Sequence, residues 1–189
     1  LVTYALAVLL LVPVKEESAV AYALTQPDSR TQAKEWFEAN VPAGSKVLIE
    51  GGKISAVRET IPLQDSREAM LRRIEYFRRV EPKQARYLEL ELAVHQGVGY
   101  DLQLVRLESM ESLDFYLAQG IEYFVVRPDA FLSDKRRDGS ASAQFVADLR
   151  TDPRVTILKR FEGDSPTQIG PTVEIYRLIQ MPGDAPSKS

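Results

Sequence analysis

Short apolar runs of strand type alternate with amphipathic helical segments along most of the chain, and this alternation constrains the fold most strongly. Helical spacing of apolar residues fills the intervals between the first four runs, and only a short loop separates the fourth from the fifth. Strands that alternate with helices imply right-handed crossovers and a mostly parallel sheet. The runs are residues 46–50, 100–107, 121–126, 154–161 and 172–179.

This order of elements predicts an α/β fold of Rossmann-like type. We expect a three-layer sandwich whose sheet has about five, mostly parallel, strands. The last two strands are close in sequence and should form an antiparallel hairpin at one edge. The chain has 189 residues, 44% of them hydrophobic, which suits one domain with a sizeable core. We place that domain at residues 18–181 and expect a disordered tail at residues 182–189.

Cap residues and a proline predict where the first helix begins and ends. Asp28 or Ser29 can accept hydrogen bonds from the exposed first-turn amides. The helix should end near Asn40, because Pro42 disfavours helical geometry in the residue before it. We interpret Asp28 and Arg30 as a helix cap and a structural ion pair.

A second helix should begin after Asp65 or Ser66. Its outward face could meet anionic lipid headgroups if a membrane anchor lies nearby. Interleaved glutamates make a solvated face the alternative. The arginines of this face are Arg67, Arg72, Arg73, Arg78 and Arg79.

The remaining helices are less sharply marked. Residues 83–96 fit both a strand alternation and a helix, and their composition favours a helix. Ser109 or Ser112 can cap a short helix, with Gly120 as its C-cap. Residues 138–149 predict a further helix.

The N-terminal segment, residues 1–14, reads LVTYALAVLLLVPV and carries no charge. As a helix it would span ~21 Å, short of the ~30 Å hydrocarbon core of a bilayer. It can be the end of a truncated transmembrane helix, the apolar core of a signal peptide or a buried helix. We favour the truncated membrane helix, at residues 1–17, because it explains the leucine-rich composition and the start at leucine. A charged cluster at residues 15–17 also separates the run from any cleavage site. We therefore expect this segment to attach the chain to a membrane.

Composition excludes several classes of function. The net charge of −3 argues against a nucleic-acid partner, which would require a basic face to neutralise phosphates. The absence of cysteine excludes disulfides, thiolate nucleophiles and cysteine-bound zinc. A single histidine, His95, excludes a multi-histidine metal site, and we interpret it as a residue at a helix end. Dinucleotide-binding, Walker A and nucleophile-elbow motifs do not occur. We therefore expect no cofactor and no metal.

A ligand on such a sheet would lie at the carboxyl ends of the strands. Two adjacent glycines there could let a phosphate approach the backbone, although a flexible exit turn is the favoured alternative. Carboxylates could supply acid–base chemistry, but they are common at strand ends on any surface. We assign no catalytic residue. The candidate ligand-binding residues are Glu50, Gly51, Gly52, Arg127 and Asp129, and Glu108 lies at the same edge.

Three stretches resemble a known family. They are PDSRTQAKEWFEANVPAGSKVLIE at 27–50, IEYFVVRPDAF at 121–131 and GPTVEIYRLI at 170–179. Together they resemble the C-terminal extracytoplasmic domain of bacterial polytopic glycosyltransferases of the GT-C type, the dolichyl-phosphate-mannose–protein mannosyltransferase-like group. In that family the last membrane helix leads directly into an Asp-x-Arg helix. A tryptophan, an Asn-x-Pro-x-Gly turn and the first strand follow. The corresponding residues here are Asp28, Arg30, Trp36, Asn40, Pro42 and Gly44.

The resemblance implies transfer of a sugar from a lipid-phosphate donor to an acceptor outside the cytoplasm. The catalytic acidic residues of that family lie on the first extracytoplasmic loop, upstream of residue 1, so no position here inherits a catalytic role. The chain would be an accessory domain on the extracytoplasmic face of the membrane. It would contact a lipid-linked sugar or a glycan or protein acceptor, cover the membrane active site, or mediate assembly.

Two other functions stay open on the residues alone. One is a membrane-anchored or secreted Rossmann-like binding module for a small ligand or a protein partner. The other is a self-contained hydrolase or transferase, which the lack of a catalytic constellation in the sequence disfavours.

Overall fold

The computed structural model describes residues 25, 27–50, 60–95, 99–105, 109–128, 141–163 and 169–179. Helices and strands alternate along these residues as the sequence predicts. The helices are α1 (Ser29–Asn40), α2 (Arg67–Val80), α3 (Pro82–Val94), α4 (Leu113–Ala118) and α5 (Ala141–Thr151). The strands are β1 (Lys46–Glu50), β2 (Asp101–Val105), β3 (Tyr123–Val126), β4 (Val155–Phe161) and β5 (Val173–Leu178).

The five strands form one open sheet in the order β2-β1-β3-β5-β4. Strand β1 pairs in parallel with β2 and β3, whereas β5 is antiparallel to both β3 and β4. Four strands therefore run in one direction and β5 runs against them. The prediction of an α/β fold with a mostly parallel sheet is confirmed. So is the antiparallel pair of final strands at one edge.

Successive side chains of the strands enter two separate cores. In β1, Leu48 belongs to one core, whereas Val47 and Ile49 belong to the other. Because side chains alternate along a strand, these cores lie on opposite faces of the sheet. Side chains of α4 and α5 complete the first core, and Ala33 and Phe37 of α1 complete the second.

Side-chain caps settle the predicted helix starts. Three side chains accept hydrogen bonds from main-chain N–H groups two or three residues further on: Asp28, Ser66 and Ser112. At the end of α4 the prediction was wrong by one residue, because the C-cap is Gln119. Gly120 follows it with a φ of 76°, the left-handed conformation that glycine adopts just beyond a helix.

The ambiguous segment after Pro82 is helical. Pro82 occupies the start of α3, where its missing N–H costs no hydrogen bond. The third strand is shorter than predicted, because the Ile121 amide donates to the Tyr116 carbonyl oxygen at the end of α4.

Helices α2 and α3 form a hairpin beside β2. Arg78 of α2 binds Glu89 of α3 at 2.6 Å, and Arg72 of α2 binds Asp101 of β2 at 2.9 Å. None of the described helices is long and apolar enough to cross a bilayer. The predicted membrane segment at 1–17 and the predicted tail at 182–189 lie outside the described residues.

Candidate functional site

One row of paired residues crosses the whole sheet at the carboxyl ends of β1 and β3. Ile49 pairs with Val125, which places the next residues of the two parallel strands, Glu50 and Val126, side by side. Glu50 also pairs with Val105, and Glu174 pairs with both Val126 and Arg160. From β2 to β4 the row reads Val105, Glu50, Val126, Glu174 and Arg160.

The two glutamates of this row lie on the same face of the sheet. Residues two apart in a strand point to the same face, so Glu50 shares a face with Leu48 and Glu174 shares a face with Tyr176. Leu48 and Tyr176 both belong to the core under α4 and α5. One strand separates them, so their Cα atoms are roughly 10 Å apart, two strand spacings. Both are buried, at 4% exposure for Glu50 and 1% for Glu174.

Arg127 holds the first of these carboxylates. Its Nη2 lies 2.6 Å from Glu50 Oε1 and its Nε lies 3.2 Å from Glu50 Oε2, a two-point pairing. The Thr60 hydroxyl donates to the main-chain oxygen of Glu50 at 2.7 Å. The end of β1 is thus joined by its side chain to the segment after β3 and by its backbone to Thr60.

Two arginines and a tyrosine hold the second carboxylate. Arg150 Nη2 lies 2.8 Å and Arg160 Nη1 lies 3.2 Å from Glu174 Oε1. The Tyr176 hydroxyl donates to Glu174 Oε2 at 2.6 Å. Burial raises the pKa of Tyr176 to about 12, and its hydrogen bond to Glu174 acts in the same direction. The hydrogen bond to Glu174 also raises the pKa of Arg150.

Sequence reasoning found only half of this site. Glu50 and Arg127 were expected at the same edge, and the structure brings them together as an ion pair. Their role in ligand binding stays a prediction. Gly51, Gly52 and Asp129 lie outside the described residues, as does Glu108.

The second half of the site, around Glu174, was missed. A charged residue between apolar residues of a strand, as in Val173-Glu174-Ile175, is the signal that could have found it, because buried charges require partners. The positions of Arg150 and Arg160 relative to Glu174 depend on helix packing and strand register, which the sequence alone does not give.

Chemically, both carboxylates of the row are engaged by guanidinium or phenol donors. Such pairs join neighbouring elements. They hold firmly, because a buried charge that loses its partner is strongly destabilising. Among the described residues, no group of three or more histidine, aspartate or glutamate side chains is arranged to hold a metal ion. His95, the single histidine, is the C-cap of α3.

Two clefts lie away from this row. A cleft of about 430 Å³ lies at the amino ends of β1 and β2, and its lining includes Gly44, Arg67, His95 and Gly99. A second cleft of about 280 Å³ lies beside the start of β4 and is lined by acidic residues and Arg154. The clefts and the paired carboxylates therefore lie at different places in the described part of the sheet. Ligands of open α/β folds bind at the carboxyl edge, where the carboxylates lie.

Most arginines of α2 have acidic partners within the domain. Arg72 and Arg78 bind residues of β2 and α3, Arg79 binds Glu75 one turn away at 2.7 Å, and Arg73 binds Asp65. Burial raises the pKa of Asp65 more than the charge of Arg73 lowers it. This face is therefore charged and internally paired.

The helix with the Asp-x-Arg pattern is fastened at its start. Asp28 binds Arg30 at 2.5 Å, and this hydrogen bond lowers the pKa of Asp28, although partial burial opposes it. The Ser29 amide donates to the Ile169 carbonyl oxygen at 2.8 Å, and the Ser29 hydroxyl donates to the Pro171 carbonyl oxygen at 2.7 Å. The start of α1 is thus joined to the loop that leads into β5.

The rest of the motif closes the turn into β1. Trp36 packs edge-on against Phe161, with ring centres 6.4 Å apart. Asn40 Nδ2 donates to the Trp36 carbonyl oxygen at 2.7 Å, and Gly44 takes a φ of 80°. Asp28, Arg30, Asn40 and Gly44 of the pattern therefore shape the helix–turn–strand unit itself, and Trp36 packs the helix against β4.

Comparisons of the chain with protein-family models, with curated proteins and with solved structures found no match. The glycosyltransferase resemblance accordingly stays a hypothesis based on the residues quoted for it.

Proposed function

We propose that the chain is an accessory extracytoplasmic domain of a membrane glycosyltransferase, similar to the dolichyl-phosphate-mannose–protein mannosyltransferase group. The enzyme would transfer a sugar from a lipid-phosphate donor, with its catalytic residues upstream of residue 1. The observation that carries the proposal is the unit formed by α1, its turn and β1. Residues 27–50, which supply the resemblance, fold as one unit that leads into the interior of the sheet.

The layering of helices on the two faces of the sheet is part of the same proposal. We infer a Rossmann-like three-layer arrangement, with α1 on one face of the sheet and α4 and α5 on the other. The packing of these helices in two opposite cores supports it. The paired carboxylates at the carboxyl edge support an accessory role, because their oxygens accept hydrogen bonds from arginine and tyrosine.

The first test is the coding sequence upstream of residue 1. We expect it to encode several further membrane helices and an extracytoplasmic loop with acidic residues. A reading frame that supplies only a short signal peptide would contradict the proposal.

The second test is sugar transfer by the full-length protein in membranes. We expect deletion of residues 27–179 to lower transfer from a lipid-phosphate sugar to the acceptor. The matched control is the full-length protein with Gln144→Ala, which removes only an exposed side-chain hydrogen bond to Asp148 within α5. Equal transfer by the deletion variant and this control would exclude a contribution of the domain to the reaction.

One observation favours a binding module as the second candidate. Arg127 and Glu50 stand together at the carboxyl ends of parallel strands, where ligands of such sheets bind. A binding module predicts that some sugar, nucleotide or lipid phosphate raises the melting temperature. Glu50→Gln combined with Arg127→Gln removes both charges together and should abolish that rise. Identical melting temperatures across the ligand panel would argue against this candidate.

A further inference from the structure

Helix α3 has an apolar stripe on its outward face as well as on its buried face. Ala85 and Leu88 are buried. Tyr87, Leu90 and Val94 are 61%, 66% and 74% exposed. Their spacing of three and four residues places them on one side of the helix. Large side chains of this kind, exposed in a row, mark a surface that contacts an apolar medium or a partner.

Charged residues flank this stripe. Lys83 and Arg86 lie in the first turns of α3, and Glu91 lies one turn from both Tyr87 and Val94, whereas α2 exposes Arg72, Arg78 and Arg79. Residues 67–94 contain seven basic and five acidic residues, a net charge of +2, whereas the whole chain has −3. The remainder of the chain therefore has −5. The α2–α3 hairpin is thus the basic end of an otherwise acidic molecule.

We propose that the α2–α3 hairpin is a membrane-contacting surface for anionic phospholipid. The stripe of Tyr87, Leu90 and Val94 enters the boundary between headgroups and acyl chains, and the flanking lysine and arginines contact lipid phosphates. Apolar and aromatic residues beside Lys and Arg are the composition of helices that lie in a membrane interface. The proposal rests on the proposed membrane attachment of the chain.

The ion pairs of α2 are compatible with this contact. Arg79 and Glu75 are both highly exposed, and so is Arg78. Exposed ion pairs contribute little to stability, so a lipid phosphate can replace the intramolecular carboxylate at little cost. Each basic residue near an anionic bilayer adds to the attraction between the hairpin and the lipid.

A second copy of the chain is a less suitable occupant. Three side chains, spaced over ~10 Å of helix, fall short of the ~800 Å² that each partner contributes to a stable interface. The net positive charge of the hairpin would also bring like charges together across a two-fold axis. A bilayer of anionic lipid requires no such area and complements that charge.

The test exploits the absence of cysteine from the chain. Leu90→Cys receives a spin label in the full-length chain, which is reconstituted into vesicles of mixed phosphatidylglycerol and phosphatidylcholine. The depth of the label is read from its accessibility to oxygen and to a water-soluble nickel complex. The matched control is Phe115→Cys on α4, where the side chain is 47% exposed. Residues 1–17 are present in both variants, so a difference reports the hairpin alone.

We expect the Leu90 label to lose access to the nickel complex and gain access to oxygen, while the Phe115 label stays in water. Vesicles of phosphatidylcholine alone should return the Leu90 label to water. Equal water exposure of both labels would overturn the proposal. Insertion of the Leu90 label to the same depth without anionic lipid would overturn it in favour of contact with neutral lipid. Dipolar broadening between Leu90 labels would overturn it in favour of a second copy of the chain. The upstream coding sequence tests the glycosyltransferase proposal separately, and a failed depth measurement leaves that outcome unchanged.

Discussion

Arg127 donates hydrogen bonds to both carboxylate oxygens of Glu50, with its Nη2 2.6 Å from Oε1 and its Nε 3.2 Å from Oε2. The two residues lie at the carboxyl ends of neighbouring strands, since Glu50 is the last residue of β1 and Arg127 comes directly after β3. The pair therefore joins the ends of two parallel strands that are far apart in sequence. Its geometry explains how a glutamate can be buried at the edge where a ligand site was expected.

Arg127→Ala should lower the free energy of unfolding by about 3 kcal/mol, because it leaves the Glu50 carboxylate buried without its partner. Chemical denaturation measures this change. Glu50→Gln combined with Arg127→Gln should restore part of the loss, since no unpaired charge remains. The control Arg79→Ala breaks an exposed pair and should cost less than about 1 kcal/mol. Equal losses for the two single variants would show that the Glu50 pair is not a buried link.

Much of the fold could be predicted, because alternation and capping act over short distances in sequence. The strand of residues 46–50, the caps at Asp28 and Ser66 and the final antiparallel pair all depend on neighbours a few residues away. The order of strands across the sheet, with β5 inserted between β3 and β4, was not predicted. It depends on which apolar faces pack together, which local patterns do not specify.

The candidate site shows the same limit. Glu50 and Arg127 could be placed at one edge, because the carboxyl ends of parallel strands meet there. Glu174 could not, because its strand runs in the opposite direction and contributes its first residues to that edge. Only the antiparallel register brings the start of β5 beside the end of β3.

Gly170→Ala should destabilise the domain by about 2–3 kcal/mol. The residue has a φ of 103°, and an added Cβ would lie 2.4 Å from both Asp28 Oδ1 and Ser29 Oγ. Strained backbone alone costs about 1–3 kcal/mol, and here the cap of α1 must also move. Gly44→Ala is the control, because its φ is 80° and nothing lies within 4 Å of the added atom. If the melting temperatures of the two variants fell equally, the contact between the Gly170 turn and α1 would carry no stability.

Two buried tyrosines should respond to loss of their hydroxyl groups in opposite directions. The Tyr176 hydroxyl donates to Glu174, so Tyr176→Phe should cost about 1–2 kcal/mol. The Tyr100 hydroxyl is buried and has no hydrogen-bond partner among the described residues, so Tyr100→Phe should be neutral or stabilise by about 1 kcal/mol. Denaturant unfolding of the two variants decides between these effects. A larger loss for Tyr100→Phe would indicate that its hydroxyl binds a group outside the described residues.

The same tyrosines should make the domain less stable in alkali. Burial raises the pKa of Tyr100 and of Tyr176 to about 12 in the folded chain, against 10 for the unconstrained side chain. The folded state therefore binds more protons than the unfolded state between these values. Stability is fully present below about pH 10 and declines as the pH rises towards 12, by roughly 1–3 kcal/mol for each tyrosine. Unfolding measured across this range should show a shallower decline for Tyr176→Phe and a still shallower one when Tyr100→Phe is added. An identical decline in all three proteins would assign the alkaline loss to other groups.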